Sequence, residues 1–308
     1  MSAEIISTCP LCGCNHQIPF RAVDDYRIVR CVRCDGLFVS PPPTASELTA
    51  VYQQESYFTG GWLGYNDYFA QRPMHEQIAQ TRLRRIERWY PQRGRILDVG
   101  CAAGFFLHVA QERGWEPLGV DISHSMAAHA AQLIDRPIAA TIEDLELPHA
   151  SLDAVTMWEY IEHVPNPAEQ VRRLVELLKP GGVLALSTPN TGYWTAVHQP
   201  DRWREFKPPA HLIFFTEPTL RCMLESCGLE VLAVPHTQPR APAHPYAFQR
   251  LLELLRRRVG NGAERRTPLW WTFSLAWRLA EQVARLRYRF DPPGSDVNVC
   301  LEAYARKR

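Results

Sequence analysis

The apolar positions of this chain change period as it proceeds. Between about 71 and 90, QRPMHEQIAQTRLRRIERWY spaces Ile78, Leu83, Ile86 and Trp89 at roughly helical intervals among charged residues. Beyond it, short apolar runs bounded by glycine, proline or acidic residues alternate with amphipathic stretches. Strands are predicted at 95–99, 116–120, 137–142, 152–158, 183–187 and 229–234. Helices are predicted over 168–178, closed by Lys179-Pro180-Gly181-Gly182, and over 217–227. A last strand is predicted over 296–305. Alternating strands and helices imply an open, largely parallel sheet covered on both faces, with ligands at the carboxyl ends of its strands.

One strand-to-helix junction carries more than periodicity. Arg95-Ile-Leu-Asp-Val-Gly100-Cys-Ala-Ala-Gly104-Phe is a buried strand, a glycine turn and a helix start, a geometry that lets backbone approach a ligand at a helix N-terminus. The next strand ends in Asp121, 21 residues after Gly100, where a carboxylate can grip a ribose diol.

The front of the chain follows neither period. Cys9-Pro-Leu-Cys12 and Cys31-Val-Arg-Cys34 form two C-x-x-C pairs separated by 18 residues, the spacing of a zinc ribbon. Four thiolates close a tetrahedral site with no position for water, so the Zn2+ expected there is structural. Cys14 and His16 are spare donors. Arg21, Arg27, Arg30 and Arg33 are balanced by Glu4, Asp24, Asp25 and Asp35, a weak footprint for nucleic acid. Ser40-Pro41-Pro42-Pro43 ends the module, and Thr44 with Glu47 forms a capping box before a short helix from Ala45.

Composition adds bounds. The 308 residues are enough for one catalytic domain and a smaller module. MSAEIISTCP has no basic, then apolar, secretory pattern, and no long uncharged apolar run follows. A cytoplasmic chain is expected, in which paired cysteines hold metal rather than disulfides. The net charge of +1 conceals an asymmetry, because residues 236–308 hold 14 Lys plus Arg against 6 Asp plus Glu. Within that segment, 247–258 and 270–290 read as amphipathic helices inserted before the last strand. They could cover a core, lie on a membrane surface through Trp270, Trp271 and Trp277, or form a dimer contact.

DVGCAAG, GVDIS, IEDLELP, SLDAVTMWEYIEHV and LLKPGGVLALSTPN, in that order, resemble the motifs of class I SAM-dependent methyltransferases over about residues 93–235. A dinucleotide oxidoreductase shares the first turn but not LLKPGG before a strand. The resemblance implies a Rossmann-like α/β fold, a seven-stranded doubly wound sheet, preceded by a zinc ribbon (1–43) and a helical lead-in or lid (44–92). The methyltransferase domain then spans 93–308, with a helical insertion at 236–290. CPLCG, CVRC, LFVSPPP and ESYF are similar to a zinc-ribbon subgroup acting on sugars or secondary metabolites. The sugar C-methyltransferases of that group carry a further large C-terminal domain, for which this chain is too short. By the family pattern, Asp98, Gly100, Ala102 and Gly104 shape the methionine end of the SAM site, Ala102 standing where glycine is frequent. Asp121 takes the ribose, Ile122 packs on adenine, Asp144 and Leu145 meet its edge, and Trp158 lines the methionine end. Ordinary core packing is the alternative for Ile122, Leu145 and Trp158. Tyr57 and Phe58 are placed as part of a lid.

On the acceptor side, His163 follows the fourth catalytic strand. His211 lies in REFKPPAHLIFFT, a loop between the fifth strand and the next helix. Either could serve as base or anchor for a hydroxyl, with Glu162 positioning His163. Tyr160, Tyr193, Trp194 and Trp203 could wall the pocket or simply pack. Glu159, Glu162 and His163 also resemble the divalent-metal site of ubiquinone-biosynthesis O-methyltransferases, which implies Mg2+ as an alternative use of the same residues. The expected function is methyl transfer from SAM to a small-molecule or glycan acceptor, at oxygen. An RNA-modifying enzyme docked through the ribbon and a non-catalytic SAM-binding scaffold are the alternatives.

Overall fold

The computed structural model describes residues 8–52, 68–235 and 299–308. Tyr57 and Phe58, and the amphipathic stretches at 247–258 and 270–290, lie outside them. By contact, the chain divides into Met1–Pro189 with Glu205–Pro235 and Cys300–Arg308, and a second unit of Asn190–Arg204 with His236–Val299. In the second unit the described elements are a short helix, Trp194–His198, and a turn, Pro200–Arg202. There Tyr193 packs on Trp203 with ring centroids 5.3 Å apart.

The larger unit holds two sheets. The front sheet contains β1 (Gln17–Val23), β2 (Tyr26–Cys31) and β3 (Leu37–Val39), all antiparallel, extended by β8 (Ile213–Phe214). The Thr44–Glu47 capping box opens α1 (Ala45–Tyr52), the Thr44 amide donating to the Glu47 carboxylate at 2.7 Å.

The main sheet runs β5-β4-β6-β7-β10-β9, comprising β4 (Arg95–Val99), β5 (Glu116–Val120), β6 (Leu152–Trp158), β7 (Leu178–Pro189), β9 (Leu229–Ala233) and β10 (Cys300–Lys307). The first four are parallel, and β10 is antiparallel to both neighbours. Ile96, Leu97, Val155 and Leu184 are fully buried, as central parallel strands covered on both faces require. The strand expected at 137–142 contributes one parallel bridge, Ala139 to Val120, so a described six-stranded sheet carries the seventh position as an edge contact. Pro137 has no N–H for a ladder, and the segment turns at once into the short 3-10 helix Glu143–Leu145. β7 begins at Leu178 and passes through Lys179–Gly182, where Gly181 at φ +77° and a register shift between the pairs Leu152–Leu178 and Ala154–Val183 mark an irregularity in the strand.

Helix α2 (Arg72–Trp89) fills the predicted lead-in. It buries Ala79, Leu83 and Ile86 against Ile96, Phe106, Val109 and Tyr304. α3 (Phe105–Glu112), α4 (His124–Ile134), α5 (Pro167–Leu177) and α7 (Glu217–Ser226) accompany the strands, the short helix of the second unit being α6. At the amino ends of the strands, Asp153 of β6 ties four elements together. It accepts from the Tyr90 hydroxyl, from the Arg95 amide at 2.8 Å and from Lys179 Nζ at 2.8 Å. A Cβ on Gly94 would stand 2.1 Å from the same carboxylate, so this corner admits only glycine.

Candidate active site

The residues expected to hold the cofactor begin at the turn between β4 and α3. Gly100 and Gly104 have φ of +76° and +79°, and Gly104 is the N-cap of α3. A Cβ on Gly100 would meet Tyr160 Cδ2 at 2.6 Å, and one on Gly104 would meet Ala130 Cβ at 2.8 Å. Ala102, also left-handed at φ 45°, keeps the conformation that glycine would take at lower cost. Its amide donates to Asp121 Oδ2 at 2.7 Å, while the Ser123 amide donates to Oδ1 at 2.8 Å. Asp121 therefore shapes the turn as well as facing it. Burial raises its pKa, and the two amides work against that rise.

Asp98 is buried on β4 and accepts from Thr156 Oγ1 at 2.6 Å. Burial pushes its pKa up to about 7. Ile122 is 42% exposed, so ordinary core packing does not account for it. Asp144 is exposed and accepts from the Thr141 amide and hydroxyl at 2.9 and 2.8 Å, holding the 3-10 turn, and Leu145 is half-buried. Trp158, at the end of β6, packs on Phe106 and lies 4.0 Å beneath the Arg82 guanidinium. Arg82 carries no distinguishing signal in the sequence, where it reads as one more basic residue on an amphipathic helix. It also donates to Glu302 at 2.9 Å and to Ser187 Oγ at 3.0 Å. Ser187 in turn accepts the Glu159 amide.

The residues expected on the acceptor side follow at once. Glu159 has φ 51°, a left-handed kink that breaks any helical phase before the 3-10 turn Ile161–His163. The Glu159 carboxylate lies outside the grouping of ligand atoms, although its charge acts on Glu162. The ligand atoms that converge, all within 4.8 Å of one another, belong to Glu162, His163 and His211. The two imidazoles meet edge to face with centroids 4.8 Å apart. His163 Nδ1 lies 2.6 Å from the Ala210 carbonyl and His211 Nδ1 lies 3.0 Å from the Glu205 carbonyl. A carbonyl accepts only, so both Nδ1 atoms carry the proton; His163 also makes a backbone hydrogen bond with Glu159. Burial lowers the His163 pKa to about 4 and, with His163 beside it, lowers that of His211 well below its ordinary value. Both rings are neutral at neutral pH. Glu162 is 1% exposed, its carboxylate lying 3.8 Å from His163 Nε2 and beside the Thr188 hydroxyl. Burial, then the charge of Glu159, raises its pKa well above the ordinary range. Two imidazole acceptors and one carboxylate can orient a hydroxyl or hold a transition-metal cation. They suit magnesium, which favours oxygen ligands, less well.

In the front sheet, Cys9, Cys12, Cys31 and Cys34 place their sulfurs within 4.8 Å of one another. Cys9 to Cys34 and Cys12 to Cys31 are each 3.6 Å, too long for disulfides. Tetrahedral Zn–S bonds of about 2.3 Å give S···S edges near 3.8 Å, so this set fits zinc. Burial raises the Cys31 thiol to about 11, so ionisation there requires a cation. Cys14 and His16 stand outside this convergence, their mutual contacts running between backbone and sulfur.

An open α/β sheet with a glycine turn after its first strand, an acid ending the second and an antiparallel strand inserted at one side defines the class I SAM-dependent methyltransferase architecture. A family model described as a methyltransferase domain matches residues 68–234, more than half of the chain, and the chain belongs to that family. It is similar to ubiquinone biosynthesis O-methyltransferases of Leptothrix cholodnii (37% identical over 130 residues, 39% of this chain and 54% of the relative). For that of Xylella fastidiosa the identity is 36% over 143 residues, 43% and 56% of the two chains. The chain spans about half the length of these curated relatives. Among solved structures, a SAM-dependent methyltransferase from Archaeoglobus fulgidus superposes with a TM-score of 0.51 at 19% identity, covering 81% of this chain and 98% of that one. Phosphoethanolamine N-methyltransferase 2 of Haemonchus contortus, in complex with S-adenosyl-L-methionine, gives 0.52 at 17%, covering 88% and 61%. Both likenesses are of fold alone. The family match begins at residue 68, after the four-cysteine module. No described helix is long and apolar enough to cross a membrane.

Proposed function

We propose that the protein transfers the methyl group of SAM to a hydroxyl of a small-molecule or glycan acceptor, with a structural Zn2+ at Cys9, Cys12, Cys31 and Cys34. The observation that carries this reading is the segment 158–163, which spans both halves of the reaction. Its Tyr160 ring lies against Gly100 of the donor turn, and its other end carries Glu162 and His163 beside His211. SAM, when bound, supplies an electrophilic methyl and a neutral thioether leaving group, so the protein's task is alignment and proton removal. Asp98, Gly100, Ala102, Gly104 and Asp121 hold the cofactor, with Ile122, Asp144, Leu145 and Trp158 around its adenine and methionine ends. The acceptor hydroxyl donates a hydrogen bond to an imidazole Nε2. It loses its proton there as the O–CH3 bond forms. A histidine with a pKa near 4 is a weak base, which favours a phenolic or otherwise acidified hydroxyl over a simple alcohol.

The test is transfer from labelled SAM to a native metabolite extract. The label is expected in a small molecule as a methyl ether. Label only in RNA would move the protein to the nucleic-acid class, and no calorimetric SAM binding would sink both enzyme readings. His163→Ala should cut turnover by roughly 10²- to 10⁴-fold while leaving SAM affinity nearly unchanged. Equal loss of both would mean that His163 only packs.

A second reading rests on the convergence of Glu162, His163 and His211. Each imidazole donates its Nδ1 proton to a backbone carbonyl, the arrangement that orients metal-ligating histidines. A divalent cation there would bind the acceptor oxygen and lower its pKa.

A further inference from the structure

The carbonyls that fix the two histidine tautomers, Glu205 O and Ala210 O, both belong to the segment 205–214. The four-cysteine module grips that segment at each end. At one end, Phe206 lies between Phe20 of β1, with centroids 5.8 Å apart, and Phe214, at 5.1 Å, and the Arg21 guanidinium sits 5.4 Å from its ring. At the other end, β8 is the fourth strand of the module's own sheet, pairing Leu37 with Phe214 and Phe38 with Ile213. The Val39 amide donates to the Leu212 carbonyl at 2.8 Å, and the Leu212 amide donates to the Glu162 carbonyl at 2.8 Å. One hydrogen-bonded path therefore runs from the cysteine sheet through Leu212 to the backbone of Glu162.

The cysteines are the fixed end of this path. Cys31 ends β2, and its amide donates to the Gly36 carbonyl at 2.9 Å, setting the turn that delivers β3. A Cβ on Gly36 would meet Leu11 Cδ1 at 2.5 Å and Cys34 Sγ at 3.3 Å, so the turn is packed directly onto the sulfur cluster. Leu11 packs into that turn beside Cys34, and a cation on the four thiolates would cross-link it to the loop carrying Cys9 and Cys12. The donor residues are tied differently. The hydrogen bonds of Asp98, Ala102 and Asp121 described above all close within the β4–β6 region.

We infer that the four-cysteine module is the brace of the acceptor site: a cation held by Cys9, Cys12, Cys31 and Cys34 fixes segment 205–214 and hence the orientation of His163 and His211, while SAM binding proceeds without it. This rests on the reading that those histidines serve the acceptor. The brace explains why a closed metal site with no chemistry of its own accompanies this catalytic domain. It also makes the histidine pair dependent on the redox and metal status of four thiols.

The experiment compares the full chain with zinc, the chain stripped by a thiol-displacing reagent and chelator, and Phe20→Ala, which weakens the clamp while sparing every cysteine. Bound zinc, calorimetric SAM affinity, amide hydrogen exchange and methyl transfer to the extract are read for each. Stripping should speed exchange across 205–214, the Leu212 amide included, by about tenfold or more. SAM affinity should stay within about twofold, and turnover should fall about tenfold or more. Phe20→Ala should retain zinc and show the same pattern in smaller degree. If exchange in 205–214 is unchanged while residues 9–39 lose protection, the module is an independent unit and the inference is overturned. A parallel loss of SAM affinity overturns it as well, by showing general destabilisation. If the zinc-loaded chain methylates nothing, the proposed activity fails, whereas the exchange and SAM measurements still judge the brace.

Discussion

Asp98 is a carboxyl that the fold keeps away from water at the centre of the donor side. Its folded-state pKa of about 7 lies above the ordinary 3.8, chiefly through burial. A raised pKa means that the folded chain holds the proton more tightly than the unfolded chain does. The resulting stabilisation is complete below pH 3.8 and is lost as pH rises through about 7. Asparagine keeps the shape and the partner for Thr156 but has no proton to lose. Asp98→Asn should therefore gain on the parent as pH rises, by up to about 1.4 kcal/mol per pH unit within that window. Urea unfolding of both proteins at pH 5 and pH 8 reads the gap, and a gap that stays constant refutes the assignment. The position of Asp98 in its strand-turn motif is legible in the sequence. Its protonation is not, because that depends on neighbours such as Arg82 and Thr156 brought in from other elements. The same limit explains Ala102, where the sequence shows an alanine in place of a glycine but not its left-handed backbone.

At the scale of elements, the amino-end knot around Asp153 ties a helix end, β4, β6 and β7 together. Its pKa is lowered. Burial pushes it up, but Lys179, Tyr90 and the Arg95 amide more than offset this. Asp153→Ala removes the acceptor for a helix end, a strand start and the β7 lysine together. A loss of about 2–4 kcal/mol is expected in denaturant unfolding, with unchanged SAM affinity because the knot lies at the other end of the strands. Loss of SAM affinity beyond the stability effect would mean that the two ends of the sheet are coupled. The long parallel strands and α2 were legible because burial on both faces, or on one helical stripe, leaves a pattern in the sequence. The β3–β8 pairing was not legible. Strands of three and two residues show no period, and Leu37 and Phe214 are brought together only by the folded sheet. The grouping of Glu162 and His163 with His211 was not legible for a related reason. The ligand atoms that converge are those of Glu162, His163 and His211, and His211 comes from the distant segment carrying β8.

For the molecule as a whole, the question is how many cations it holds and at which centre. The two candidate centres differ in chemistry. Four thiolates give a closed, soft, highly charged site from which metal leaves slowly and with proton uptake. Two neutral imidazoles and one carboxylate carry one formal negative charge and leave positions open to solvent or acceptor, so they should release a cation to a moderate chelator. EDTA should therefore lower the metal content of fully loaded protein to one zinc per chain, and only a thiol-displacing reagent should remove the last. The consequences for turnover separate the readings of the histidine pair. If His163 and His211 act as hydrogen-bond acceptors alone, EDTA treatment leaves methyl transfer intact. If they hold a cation with Glu162, EDTA abolishes transfer, and zinc, manganese or iron restores it better than magnesium, because imidazole nitrogen is a poor ligand for magnesium. Glu162→Gln discriminates further, since the amide keeps the volume and can donate to the imidazoles but carries no charge for a cation. Retained activity in Glu162→Gln, with no EDTA sensitivity in the parent, would remove the metal reading. Restoration by magnesium alone would instead point to an oxygen-rich site that includes Glu159, against the convergence seen in the fold.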